Sequence, residues 1–359
     1  MKAAWLGLAI TVAMVVASSA ATSSAAPYGY SSSTTVDWIP GDQDPTRYVV
    51  GVNTGRNTVR GPRAAASLGA RLVRIEWEIG TPPERLDGVV AAYWKRGVRI
   101  QPLAGFYGRV PSSAEAMSLR AWALRFGPGG SFWKSRKRPL PITRIEFGNE
   151  TSYGHQYGDS AGDTSYAERA RTYGARGLEA ARSLGGTGVG LLVQADDGGS
   201  NRTTWVDEML GAAPELNTLA RGWVVHPYGP LGFERIRRML ASLVSHGMPI
   251  ASIRVFITEW GLSSDNGREL SDNYGYAPNM TFPQAAETLR GAMSLWFAEF
   301  GDQIAEVILY QDYEHRLPGA STDREHYFGL LRMDGSDKGA YTAEARNLIR
   351  TSRPDGVPS

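Results

Sequence analysis

The 359-residue chain contains no cysteine. Disulfides, thiolate metal sites and lipid attachment at a cysteine are thereby excluded. A fold made from this chain must be held by its apolar core, and 42% of its residues are hydrophobic. Net charge is nearly absent: 38 Lys and Arg stand against 36 Asp and Glu, a formal +2. A field of that size does not gather nucleic acid or anionic lipid. A basic run, KSRKRP at 134–139, precedes a strand and reads as a solvated loop on the face away from the active end. No nucleic-acid partner is expected from it. The five histidines form no H-x-x-x-H pair, so no catalytic zinc, and no metal or other cofactor, is expected. Asp196 and Asp197, in QADDGG, lack further oxygen ligands at calcium-loop spacing and read as a solvated loop.

Long apolar runs are scarce too. The run from Ala3 to Ala17 follows a lysine and precedes small residues. That is the pattern of a secretory signal over 1–26, with cleavage near Ala20 or Ala21. The run is short for a membrane span, and no second run is long enough. The expectation is a secreted protein with no membrane insertion after signal removal. Residues 27–47, rich in Ser, Thr, Gly and Pro, read as a flexible N-terminal arm, and 353–359 as a C-terminal tail.

From Tyr48 a regular alternation begins. Eight β-rich apolar runs fall at 48–55, 70–80, 98–108, 142–150, 189–197, 221–229, 252–261 and 305–314. Ala-, Leu- and Arg-rich stretches between them suit helices, several closed by a glycine such as Gly69, Gly97 or Gly185. Alternating strands and helices argue for a parallel sheet. Eight units fit a single-domain α/β fold, a (β/α)8 TIM barrel over 48–352, better than an open sheet. A doubly wound sheet would want a phosphate turn after the first strand. GVNTGRNTVRG has glycines there, but not at G-x-G-x-x-G spacing.

In such a barrel the C-terminal strand ends surround the active site. Here they are polar: Asn53, Arg74 with Glu76 and Glu78, Tyr107, Asn149 with Glu150, His226 with Tyr228, Glu259, and Tyr310 with Gln311 and Asp312. Two strands, IEFGNE and VFITEWG, end in a carboxylate behind an apolar body. Strands four and seven lie across the pore from each other. Glycosidic hydrolysis needs a proton donor on one side of a sugar and a nucleophile or base on the other. Their pKa values must be set apart by their surroundings. Glu146, four residues before Glu150, points the same way along its strand and reads as a buried partner of Arg74. Glu78, nearer the mouth, reads equally as a substrate contact or a structural ion pair. Tyr153, His155, Gln156 and Tyr157 suit sugar binding at even odds with a plain loop. Trp94, Trp122 and Trp296 fall in helical stretches and read as core.

IEFGNE at 145–150 resembles the fourth-strand motif of the clan A retaining glycoside hydrolases, and FITEWG at 256–261 resembles their seventh-strand motif. VVHPYG at 224–229 resembles their sixth strand, and Arg74 matches the arginine closing their second. GLLRMDGSDKGAY is similar to the tail after the eighth strand in enzymes of families 39 and 5. The resemblance implies that Glu150 is the general acid/base and Glu259 the nucleophile. It implies that Asn149 meets the sugar 2-hydroxyl, that Arg74 and Tyr228 keep Glu259 ionised, and that His226 tunes Glu150. It further implies a glycosyl-enzyme, net retention and carboxylates about 5–5.5 Å apart. Three positions depart from the pattern. Thr151 stands where Pro is common, and Leu309 and Tyr310 stand where a sugar-stacking Trp is usual. Trp260, beside Glu259, is left to supply stacking.

The function expected is a secreted retaining glycoside hydrolase acting on a β-linked oligo- or polysaccharide, as a monomer. Two rivals stay open: a non-catalytic glycan-binding barrel of the cell envelope, and a transglycosylase using the same pair.

Overall fold

Period-two alternation sets the architecture. In β2 (Leu72–Glu78), Val73, Ile75 and Trp77 are buried among the helices, while Arg74 and Glu76 turn to the opposite face. Seven further strands complete the set: β1 (Val49–Asn53), β3 (Arg99–Gly105), β4 (Arg144–Phe147), β5 (Gly190–Gln194), β6 (Ala220–Val224), β7 (Val255–Trp260) and β8 (Ile304–Leu309). In a computed structural model of the protein these strands close into one barrel in chain order, every neighbouring pair parallel. The fold is therefore the expected (β/α)8 barrel, in somewhat shorter strands than the apolar runs. The structure describes residues 48–154, 165–196, 204–268, 273–315 and 323–352. The expected signal over 1–26, the arm over 27–47 and the tail over 353–359 lie outside them, as do Asp197, His155, Gln156 and Tyr157.

The helices ring the barrel: α1 (Arg60–Leu68), α2 (Asp87–Trp94), α3 (Ser113–Phe126), α4 (Ser165–Ser183), α5 (Trp205–Ala212), α6 (Leu216–Leu219), α7 (Gly232–Ser245), α8 (Phe282–Phe300) and α9 (Ala340–Thr351). Their sequences explain their ends and faces. Ser112 with Glu115, and Thr281 with Gln284, form capping boxes that satisfy the first backbone donors of α3 and α8. In α7 the buried residues Ile236, Met239, Leu240 and Leu243 recur at helical spacing and cover the sheet. Gly69 and Gly97 adopt φ of 75° and 72° as helix stops, but after α4 the left-handed residue is Gly186, not Gly185. Trp77, Trp122 and Trp296 pack between strands and helices, at 2% exposure or less. Among the described residues no helix is long and apolar enough to cross a membrane.

The barrel interior changes character along its axis. Val49, Leu72 and Ile308 form one small apolar cluster, and Leu192, Val224 and Phe256 another. Arg144, on the inner face at the start of β4, bonds Gln101 at 2.5 Å and pairs with Glu306. One pleat higher on the same strand Glu146 begins the polar network that leads to the mouth.

Candidate active site

The anchor of the site is a buried ion pair. Arg74 donates from Nε and Nη2 to the two oxygens of Glu146, at 2.7 and 2.9 Å. It has further donors to spare, and uses Nη1 on Glu259 Oε2 (2.8 Å) and Nη2 on Asn149 Oδ1 (2.7 Å). Gln194 Nε2 and Thr258 Oγ1 also donate to Glu146 Oε1, at 3.0 and 2.9 Å. Burial alone would raise the Glu146 carboxyl; the Arg74 guanidinium and the His226 ring outweigh it and bring it down to about 2. Ionised Glu146 is therefore an acceptor only, and Thr258 must donate to it.

Regular strand geometry would not bring the two expected catalytic carboxylates to the mouth together. Glu150 gets there through a turn after β4. Gly148 takes φ 78°, and a Cβ on it would lie 2.5 Å from Thr151 Cγ2 and 2.6 Å from Phe106 Cζ, so only glycine fits. Glu150 itself sits at φ 44°, a conformation that costs a non-glycine residue about 1–3 kcal/mol. Glu259 gets there through a bulge. Ile257 pairs with Val307 and Trp260 with Leu309, so three residues on β7 span two on β8. Thr258 faces inward to Glu146. The extra residue re-aims Glu259 inward as well, where strict alternation would turn it out. Its Oε1 accepts from Tyr228 Oη at 3.1 Å.

His226, two residues beyond β6, is fully buried between the halves of this network. Its Nδ1 is 3.3 Å from Glu150 Oε1 and its Nε2 is 3.0 Å from Thr258 Oγ1. Because Thr258 spends its proton on Glu146, Nε2 must carry a hydrogen. Nδ1 then shares one proton with Glu150: it donates to the carboxylate or accepts from the acid. Burial would lower the His226 pKa, but the contacts with Glu146 and Glu150 and the charge on Glu259 push it up to about 9.

The Glu259 carboxyl behaves otherwise than the sequence implied. Burial pushes it above the usual carboxylate range; His226 and Arg74 pull it down, Glu150 adds to the rise, and Tyr228 pulls it down again. The net direction is up. Two carboxylates this close oppose each other's ionisation.

These groups open onto a cleft of about 840 Å³. Of the residues expected to bind substrate, Asn149, Arg74, Tyr228 and Tyr310 line it, with Glu150 and Glu259. Three do not. Trp260 is fully buried, its ring 4.6 Å from that of Trp296 on α8: next to the bulge it points to the helices, so it cannot stack on a sugar. Glu78, the last residue of β2, is exposed outside the lining, its charge felt by Arg109 on the surface. His226 lies behind Glu150, with no exposed surface to offer a ligand.

The structure also corrects Asp196. It is buried, not solvated, and accepts from Tyr153 Oη (2.9 Å) and the His226 amide (3.1 Å). Glu76 takes the place expected of Glu78. It lines the cleft, accepts from Tyr107 Oη at 2.7 Å, and packs over Gly105, where a Cβ would lie 2.8 Å from its Cγ. The alternation of LVRIEWE puts Glu76 and Glu78 on one face; only the depth of the mouth separates them. Tyr274, from the loop after β7, completes the wall, 4.8 Å from the Tyr228 ring.

One atom each from Glu150, His226 and Glu259 lie within 4.8 Å of one another, close enough to ligate a metal ion. Arg74 already sets a fixed positive charge against Glu259 on one side of that space, at 2.8 Å.

A (β/α)8 barrel with paired glutamates at its open end is thus the class of protein that fold and site define. No family model matches the sequence, and no curated protein does. Solved structures do resemble it. One is a GH5-4 broad-specificity endoglucanase from Clostridium longisporum, at TM-score 0.51 and 14% identity, covering 84% of this chain and 94% of that one. Another is a GH5_18 structure from Bifidobacterium longum subsp. infantis, at TM-score 0.55 and 12% identity, covering 86% and 80%. A third is a calcium-binding mutant of a Bacteroides uniformis beta-glucuronidase, at TM-score 0.55 and 12% identity. The match covers 84% of this chain, which spans about a third (34%) of that larger protein. At these identities the likeness shows the barrel fold.

Proposed function

We propose that the protein is a glycoside hydrolase that cleaves a β-linked oligo- or polysaccharide with retention. The observation that carries this reading is the approach of Glu150 and Glu259, whose nearest oxygens lie within 4.8 Å at the floor of an open cleft. Retaining pairs stand about 5–5.5 Å apart, and inverting pairs about 6.5–9.5 Å, to leave room for water.

The surrounding residues divide the labour. Glu150 protonates the leaving oxygen, while Glu259 attacks the anomeric carbon and forms a glycosyl-enzyme. Glu150 then takes a proton from water, which releases the sugar. When Glu150 holds the proton its charge no longer opposes ionisation of Glu259, and Arg74 and Tyr228 make Glu259 the member that stays charged. Asn149 gives its oxygen to Arg74, so its amide hydrogens remain for a sugar hydroxyl. Tyr310, backed by Phe328 at 5.4 Å between ring centroids, supplies the floor in place of the usual tryptophan.

The test is Glu150→Gln and Glu259→Gln against a panel of defined polysaccharides and aryl β-glycosides. Loss of the acid/base is expected to cost about 10²–10⁴-fold in turnover, with binding retained. NMR of the first product should show the anomer of the substrate. An inverted first product overturns retention; wild-type turnover of nothing, with binding, returns the glycan-binding barrel. The proposal sets the reaction outside the cell, supported by the lysine, apolar run and small residues of 1–26. Recovery of unprocessed chain in the cytoplasm of the producing cell would refute that part.

A further inference from the structure

The cleft differs between its sides. The segments after β3, β4, β6 and β7 give it rings: Tyr107, Tyr153, Tyr228 and Tyr274. Past the floor, the segments after β1 and β8 give it Arg56, Gln311, His315 and Arg324 instead. Arg324 is compensated: it lies 3.6 Å above the Tyr274 ring and its Nε is 3.5 Å from Glu325. Glu325 is itself held by Tyr274 Oη at 3.1 Å. Glu76, another carboxylate of the cleft lining, accepts from Tyr107. Arg56 is different. Exposed, three residues past the end of β1, it has no ionic or hydrogen-bonding partner among the described residues.

The position of this guanidinium along the substrate follows from topology, given the glycosidase reading on which this step rests. Directly across the barrel from β4 stands β8, one place round from the β7 expected there. Glu150, after β4, protonates the leaving oxygen, so the departing part lies on that side. The sugar transferred to Glu259 then extends toward β8 and β1, the polar and basic wall.

We infer that the glycon of the substrate carries an anionic group, a carboxylate or a sulfate ester, which Arg56 receives. A neutral sugar leaves the Arg56 guanidinium in water. An anionic one gains a charge-assisted, two-pronged hydrogen bond that fits both oxyanion geometries. His315 and Gln311 on the same wall add polar atoms that a hydroxylated, charged sugar can bond. The near absence of rings on that wall agrees with recognition by charge rather than by stacking.

The test uses oligosaccharides paired so that they differ only in one group: glucuronate against glucose, galacturonate against galactose, and a sulfated sugar against its desulfated form. Affinity is read by calorimetry in Glu150→Gln, and kcat/KM in the otherwise unaltered protein. At least one anionic member should be favoured by about 10–100-fold over its partner. Arg56→Gln should collapse that ratio toward one, and Arg56→Lys should keep part of it. Raising NaCl from about 0.05 to about 0.5 M should shrink it too. The carboxylate and sulfate arms tell which group is read. An anion preference in binding with no turnover of any glycan upholds the inference and sinks hydrolysis. A neutral preference, no binding of any anionic member, or a ratio that Arg56→Gln leaves unchanged overturns it, even where hydrolysis stands.

Discussion

Arg74→Met removes the centre of the site while keeping much of its volume. The guanidinium makes four hydrogen bonds to three side chains, and Arg74 and Glu146 are 2% and 0% exposed. Methionine leaves Glu146 buried beside Glu259 with no compensating arginine. Breaking a buried pair from one side costs about 3–5 kcal/mol. With an unfolding entropy of about 2.1 cal/mol/K per residue over roughly 300 residues, the melting temperature should fall by about 5–8 °C. The loss must also depend on pH. Glu146 lies at about 2 when folded against an ordinary 4.5. Its contribution is therefore fully present above about pH 4.5 and is lost as pH falls toward 2. Without Arg74 the sign reverses: the buried carboxyl rises above its unfolded value and penalises the fold as pH climbs past it. The gap between wild type and variant is thus widest near neutrality and narrows toward about pH 4. Urea unfolding at both ends of that range measures it. A loss below about 1 kcal/mol, or one indifferent to pH, refutes the assignment of Arg74 as the charge on which the network rests. Arg74→Met with Glu146→Leu should regain stability but not turnover, since Glu259 still lacks its partner.

Gly148→Ala places a methyl 2.5 Å from Thr151 Cγ2 at φ 78° and should destabilise by about 1–3 kcal/mol while cutting kcat, because Glu150 rides on the same turn; thermal unfolding and kinetics on one preparation check both. His226 is held at about 9 against an ordinary 6.5, so the stability it lends is whole below 6.5 and disappears as pH rises through 9. The urea midpoint should fall across that window, and His226→Gln should flatten the fall. Trp260→Ala should cost about 3–5 kcal/mol by opening a cavity against Trp296. It should leave KM for any accepted glycan within about twofold; a large rise in KM alone would restore a stacking role.

The eight strands were legible because a barrel strand must bury its outer face under helices, and Val73, Ile75 and Trp77 show that demand directly. The Arg74–Glu146 pair was legible too, since a charge inside a barrel needs a partner. The failures share a cause. Trp260 was placed beside a ligand because it adjoins Glu259, yet adjacent strand residues face opposite ways. Asp196 looked solvated from its Asp-Asp-Gly-Gly setting; its partners, Tyr153 and the His226 amide, come from segments 43 and 30 residues distant. Glu78 was preferred to Glu76 because nothing local says at which pleat the mouth begins. Arg56 carried one usable signal, its place in the loop just past the first strand.

The bulge and the Glu150 turn decide more than position. They bring both carboxylates onto one chain of contacts. Glu150 touches His226, His226 touches Thr258, Thr258 and Arg74 both hold Glu146, and Arg74 holds Glu259. Protonation of any member changes the field at every other, so their titrations belong to the chain as a whole and not to its members. That is why residue-by-residue assignment expected a depressed Glu259, from two of its neighbours, while burial and the Glu150 charge set the net direction upward. It follows that Thr258→Val, whose native side chain bonds neither Glu150 nor Glu259, should move both limbs of the pH–rate profile. It removes the acceptor that obliges His226 to keep a hydrogen on Nε2, and with it the donor to Glu146. Movement of one limb only would mean that the two carboxylates titrate independently despite the contacts between them.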